Sequence, residues 1–268
     1  MYPLGRNRPD PTFTPKLLRF GDFIQPSKLR LPKGIWKQDW APHAIAGLED
    51  PIGNRKWGNC FPSAVLKAND LMLANTRPPP YVFATEAQSA WLYSQCTTPP
   101  FDPVTGDNDN GTADDVIMSR WVNEGLFADG SGKAETVVII DATSPTELAA
   151  AQYLLGHTIS ALDMPDSVAK NQPDTSGFVW GDVSMPGNIN NGHAMVQYGI
   201  NMQGLFDSTW GLFGTVTFEW VAQYCSPPWG FMYAALAGNW KVVGQEKSPA
   251  GVAWSDLEAQ VAALPKFA

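Results

Sequence analysis

A glycine-marked turn that runs straight into a helix constrains this chain more than any other feature. The turn is Asn54-Arg55-Lys56-Trp57-Gly58-Asn59-Cys60. From Cys60 onward the apolar positions Phe61, Ala64, Val65, Ala68, Leu71 and Met72 keep the three-to-four spacing of one helical face. Pro62 fits the first helical turn, whose N–H groups have no intrahelical acceptor to lose. The pattern therefore predicts a helix with Cys60 at or beside its N-terminus, where the peptide dipoles favour a thiolate. A thiol in that position is either a small buried hydrophobe or a nucleophile, and a nucleophile needs a base.

Three histidines compete for that role. His43 lies in a proline-rich stretch, and His157 follows Gly156 at a helix-to-strand turn. His193 lies 133 positions after Cys60 and follows Asn190-Asn191-Gly192. It is expected to start a strand, its ring facing a cleft while Ala194, Val196 and Tyr198 pack the opposite face. A third group should accept the other ring proton. The next strand offers Asp207, with Trp210 placed to cover the contact from water. The Cys60 amide and the side-chain amide of Asn54 are the candidate oxyanion donors.

Around this constellation the chain reads as helices first and strands second, an α+β arrangement with a cleft between lobes. Helices are expected at Thr85–Gln95, Ala113–Glu124 and Ser144–Leu155. Strands are expected at Val137–Ile140, Thr158–Leu162, Ala194–Ile200, Leu205–Trp210, Thr215–Phe218 and Phe231–Leu236, the last four as an antiparallel series. Residues 164–190 read as loop. Residues 1–50 carry seven prolines, too densely spaced for a long helix, and form an extended arm anchored by Phe13, Leu18, Phe20 and Trp36. Residues 51–245 form the main domain, a helical lobe to about 135 and a β lobe beyond. Residues 246–268 form a tail with a short helix, Trp254–Leu264.

Charge is unevenly placed. The chain carries −8 overall, whereas residues 1–40 hold eight basic and three acidic side chains. The arm is thus about +5 and the remainder about −13. It either lies across its own acidic body or contacts an acidic partner. A body so acidic excludes nucleic-acid binding, which needs clustered Lys and Arg. No membrane span or signal peptide is visible, so cytoplasmic synthesis is expected. Cys60, Cys96 and Cys225 read as free thiols of a reducing compartment, or at most one bridge. Asp102, Asp107 and Asp109 superficially resemble a calcium loop, but its glycine is misplaced and the closing Glu is missing, so no metal is expected, nor any cofactor.

Asn54-x3-Gly58-x-Cys60, Gly192-His193-Ala194 and Ser208-Thr209-Trp210-Gly211 together resemble the papain-like cysteine peptidases. Asp109-Asn110-Gly111-Thr112 looks like the family's substrate-binding glycine segment. More closely, Leu4-Gly5-Arg6, Gly53–Cys60 and Asp256–Leu264 resemble a group of phage and prophage papain-like proteins. The resemblance implies a two-lobed fold, with Cys60 on the helical lobe and His193 on an antiparallel β lobe. It also implies a substrate cleft at Gly58, Gly111 and Trp210. Departures are Asn54 for the family's Gln, Phe61 for its Trp and Trp57 for a disulfide-forming Cys. In an ungapped match Ser208, not Asp207, takes the third position, and a one-residue bulge would be needed to bring Asp207 in. No propeptide-like helical region precedes Cys60. Two functions follow from the resemblance. One is a thiol hydrolase of peptide or amide bonds. The other is an inactive scaffold acting as a phage structural protein, for capsid decoration or fibre attachment, docked on virion proteins through the arm.

Overall fold

The computed structural model describes residues 1–13, 17–23 and 33–237. The tail at 246–268, its helix and the end of the β lobe lie outside the described residues. The helices are α1 (Phe20–Phe23), α2 (Ile45–Glu49), α3 (Cys60–Thr76), α4 (Glu86–Gln95), α5 (Asp114–Asn123), α6 (Pro145–Leu155), α7 (Asp166–Ala169) and α8 (Phe218–Tyr224). The strands are β1 (Arg6–Asn7), β2 (Leu18–Arg19), β3 (Gln38–Asp39), β4 (Thr112–Ala113), β5 (Ala134–Ile140) and β6 (Thr158–Pro165). They continue with β7 (Phe178–Trp180), β8 (Gly187–Ile200), β9 (Gly204–Thr209), β10 (Leu212–Thr217) and β11 (Gly230–Ala237).

Local chemistry sets the helix ends. Thr85 and Gln88 close a reciprocal capping box on α4. Ser144 caps α6 with Pro145 in its first turn, and Gly156 ends that helix in the left-handed region at φ 73°. Helix α3 is covered on all sides: 15 of its 17 residues are buried. It packs against β8, α4, α2 and α5, the spine of the helical half.

Nine strands form one sheet in the order β2-β5-β11-β6-β8-β9-β10-β7, with β3 added on β8. Its centre is antiparallel, but β2 joins β5 and β7 joins β10 in parallel, so the sheet is mixed rather than wholly antiparallel. A second, two-stranded sheet pairs β1 with β4 in parallel.

Three expectations are corrected. His193 does not start its strand but sits in the middle of β8, which begins at Gly187. Gly187–Gly192 is Asn- and Gly-rich and buried only at its two ends, so it shows no apolar alternation to read; its pairing with β6 makes it a strand. The stretch 164–190 also holds α7 and β7. Phe218 opens α8, capped by Thr217, instead of ending a strand.

Buried charge inside α3 has a measurable consequence. Lys67 is wholly enclosed and donates from Nζ to Leu48 O at 2.7 Å and to Ser208 Oγ at 3.5 Å. Burial pulls its pKa down to about 7. The unfolded lysine keeps its proton to about 10.4. Its burial therefore costs most below pH 7, and the cost fades as pH rises from about 7 to 10. Lys67→Met removes that cost but leaves the neighbouring buried Asp70 without its cation, so the variant is expected to compare more favourably with the parent at pH 7 than at pH 9.5. Leu48 O still accepts from Ser208 at 3.1 Å. Denaturant unfolding at pH 7 and pH 9.5 checks this; an equal difference at both values rejects it.

Candidate active site

Cys60 is fully buried as the first residue of α3. Asn59 provides no side-chain cap, so the first-turn amides remain available. The N–H groups of Ala194, Gly5 and Phe61 point at the Cys60 sulfur. Burial nevertheless dominates and pushes the thiol up to about 11. His193, the residue before Ala194, is also fully buried, and burial pulls its pKa down to about 3. Between those limits thiol and imidazole are both neutral in the form described here.

The histidine is pinned on two sides. Its Nε2 lies 2.7 Å from Thr209 Oγ1, and its ring stacks on Trp210 at 4.5 Å. Its Nδ1 has no partner among the described residues. Trp210 and Gly211 are the two central residues of the β9–β10 hairpin, at φ 54° and 71°. Positive φ at both positions suits a tight hairpin turn. Gly211 is needed twice over, because a Cβ there would meet Glu49 O at 2.3 Å. Arg55 Nε donates to Trp210 O at 2.6 Å and holds the strained turn in place.

Neither expected third group reaches His193. Asp207 pairs opposite Gln197, four residues along β8 and roughly 13 Å away at about 3.3 Å per residue. It accepts from Gln197 Nε2 at 2.6 Å, and burial raises its pKa well above the usual carboxylate range. Ser208 faces the other side of the sheet, where it donates to Leu48 O. A bulge does occur, at Tyr198, but it lies beyond Asp207 and does not slide β9 toward the imidazole. Thr209 takes the place instead. Alternation from Asp207 puts Thr209 on the same face, but a neutral hydroxyl carries no signal in sequence as a partner for an imidazole.

Of the remaining site residues, Asn54 is buried in the turn ahead of α3 with its Oδ1 unpartnered, and no hydrogen bond joins it to Cys60 among the described residues. Gly58 and Gly111 are brought together through Asp109 and Tyr93. Asp109 Oδ1 accepts from Gly58 N at 2.8 Å and from the Tyr93 hydroxyl at 2.7 Å. The same hydroxyl accepts from Gly111 N at 2.7 Å. Asp109 thus ties the cysteine turn to the Gly111 segment. Trp57 packs edge-on against Phe101, and all three cysteines are free. Among the described residues no group of three or more His, Cys, Asp or Glu could hold a metal, and no helix is long and apolar enough to cross a membrane.

The groove between Gly58, Gly111 and Gly192 is filled by the arm, at Gly5 and Arg6. Gly5 O accepts from Thr112 N at 2.7 Å, and Arg6 pairs with Thr112. A Cβ on Gly5 would lie 1.7 Å from Gly58 O, one on Gly111 2.4 Å from Gly5 O, and one on Gly192 1.8 Å from Arg6 O. Upstream, Tyr2 packs on Trp210 at 5.1 Å and hydrogen-bonds Gln172. The expectation of a basic arm across an acidic body locates the charge but not the consequence, which is that the arm covers Cys60.

No family model and no curated protein sequence matches the chain. Solved structures do. Procathepsin B S9 from Trypanosoma congolense superposes with TM-score 0.56 at 10% identity, covering 87% of this chain and 86% of that one. Digestive procathepsin L 3 of Tenebrio molitor larval midgut gives 0.53 at 14%, covering 86% and 76%. The fold is that of papain-like cysteine proteases. Xylellain, a cysteine protease from Xylella fastidiosa, gives 0.50 at 12%, covering 88% and 96%. The papain-like α+β architecture is thus shared, with the helical half carrying Cys60 and the sheet carrying His193. Nothing in these comparisons bears on a phage or virion association.

Proposed function

We propose that the chain is a thiol hydrolase of peptide or amide bonds whose cleft is closed by its own N-terminal arm. One observation carries the reading: the Cys60 sulfur receives the amide beside His193, while that histidine is fixed by Thr209 and Trp210 with Nδ1 left free. In the open form Cys60 gives its proton to His193 Nδ1, and the sulfur attacks the substrate carbonyl carbon. The resulting oxyanion is met by the Cys60 amide and the Asn54 side chain. His193 then returns the proton to the leaving amine as the C–N bond breaks. Water, deprotonated by His193, cleaves the thioester and restores the thiol.

The arm is not itself a substrate in the form described. What Gly5 presents to the sulfur is an N–H, and its carbonyl is turned to Thr112. The thiol therefore faces a donor and not an electrophile. Once the arm is displaced, a quenched-fluorescent peptide library should be cleaved. Cys60→Ala and His193→Ala should each lower that turnover by at least about 1,000-fold without altering circular dichroism. An arm-displaced chain that cleaves nothing, with a Cys60 pKa indifferent to His193→Ala, would overturn the proposal.

A further inference from the structure

The arm inserts one side chain deeply, and that side chain has a chemically specific receptor. Arg6 Nε and Nη2 donate to Asp114 Oδ1 and Oδ2 at 2.7 and 2.9 Å, a two-pronged pairing, while Nη1 donates to Asp163 Oδ1 at 2.9 Å. Both carboxylates are fully buried and Arg6 almost so. The Tyr233 hydroxyl donates to Asp114 Oδ2 at 2.9 Å and fixes its orientation. Asp114 also opens α5, where the helix dipole favours an anion. Arg8, on the same face of the arm, donates from Nε to the remaining oxygen of Asp163 at 2.7 Å.

Two features separate this from an ordinary internal ion cluster. Both cations belong to the arm and both anions to the body, so displacing the arm strips Asp114 and Asp163 of the ion pairs that Arg6 and Arg8 supply. Beside the pocket, contact with the arm is through backbone against glycine, at Gly58, Gly111 and Gly192. A trough of that kind accepts many sequences along its length and selects only where a side chain descends. A planar guanidinium pairs two-pronged with Asp114 while its third nitrogen reaches Asp163, a fixed fork that the point charge of an ammonium does not match.

We propose that Asp114 and Asp163 form a recognition site for the arginine side chain of a peptide ligand, with a second basic residue two positions later favoured at Asp163, and that Arg6 and Arg8 occupy it in cis. The inference rests on the hydrolase reading, because it makes the arm's trough the substrate cleft. It assigns the substrate class as peptides of Arg-x-Arg type.

The test uses the full-length chain carrying Gly5→Ala, which forces the arm off Gly58, and Cys60→Ala, which prevents turnover. Acetyl-Leu-Gly-Arg-Asn-Arg-amide is titrated by calorimetry against versions with citrulline, lysine or leucine in place of the first arginine. Arginine should bind at least about 30-fold more tightly than citrulline, which keeps the shape and loses the charge, and about 10-fold more tightly than lysine. Asp163→Asn in the same chain should shrink the arginine-to-citrulline ratio to a few-fold, with Asp114→Asn as a second variant should that one fail to fold. Equal binding of arginine and citrulline peptides, or no binding of either, would overturn the proposal. Because binding is read without a nucleophile, its failure is separate from failure of the hydrolase reading. Turnover by Gly5→Ala alone with no preference for arginine would keep the enzyme and remove the pocket.

Discussion

Gly5→Ala is expected to raise the alkylation rate of Cys60 by iodoacetamide at pH 7.5 by roughly two orders of magnitude. The substitution is small, but its methyl group would be built 1.7 Å from Gly58 O and 2.3 Å from Gly58 C, both backbone atoms at the entrance to α3. No rotamer relieves a clash between two backbones, so the arm must lift by more than an ångström. Lifting removes the Gly5 N–H from the sulfur and admits water to a thiol whose pKa stands at about 11 through burial. At pH 7.5 a thiol of pKa 11 is ionised to about 3 parts in 10,000, whereas one restored to about 8.5 is ionised to about one tenth. That ratio is roughly 300, before any gain from access. The pH profile should show the change directly, its midpoint moving down from near 11. Gly34→Ala is the matched control, because a Cβ there meets nothing within 4 Å. Gly192→Ala attacks the arm from the opposite wall, with its Cβ 1.8 Å from Arg6 O. An unchanged rate in both Gly5→Ala and Gly192→Ala would mean that the arm does not control the nucleophile.

The cysteine turn and its helix were legible because they rest on local rules. Apolar spacing and a first-turn proline specify α3 whatever packs around it. The same local rules single out His193, but the strand start they imply lies six residues earlier, at Gly187. Covering of the cleft by the arm was not legible, because it depends on contacts between residues more than 50 positions apart. Gly5, Gly58, Gly111 and Gly192 look like four unrelated turn residues in sequence; only their mutual approach shows that each is small for the sake of another. The buried ion cluster is hidden in the same way. Arg6, Asp114 and Asp163 are read as parts of a basic arm and an acidic body, and summed charge cannot say which pairs lose their water. Register is the third blind spot. Alternation fixes which face a strand residue takes but not which residue stands opposite, so Asp207 and Thr209 were equally placed until β9 was paired with β8.

That ambiguity yields the second large effect, expected in the arm-displaced chain. Thr209→Val should lower kcat/KM by about 100-fold, or about 2.7 kcal/mol of transition-state stabilisation. Loss of the ring's anchor at Nε2 frees the tautomer and orientation of His193, and disruption of the corresponding contact in triad enzymes costs up to about 10,000-fold. A threonine hydroxyl is neutral and gives less than a buried carboxylate, which sets the smaller figure. As a positioning residue, Thr209 should also show itself in the pH profile: the limb reporting imidazole ionisation should shift in Thr209→Val and return in Thr209→Ser, which restores the hydroxyl. Asp207→Asn should change kcat/KM by less than about 2-fold, because its carboxyl faces Gln197 and not the imidazole. Its effect belongs to stability. Burial raises the Asp207 pKa, so the folded state holds a proton that the unfolded state releases above about pH 4. Folding therefore loses stability from this group as pH rises, and the isosteric amide removes that loss. The variant should melt at a higher temperature than the parent at pH 7 and within error of it at pH 4. Were Asp207→Asn the damaging change and Thr209→Val silent, β9 would have to slide by two residues against β8. Such a slide would carry Ser208 away from Leu48 O and unstack Trp210 from the histidine. The two substitutions thus test the register of the sheet and the identity of the third group together.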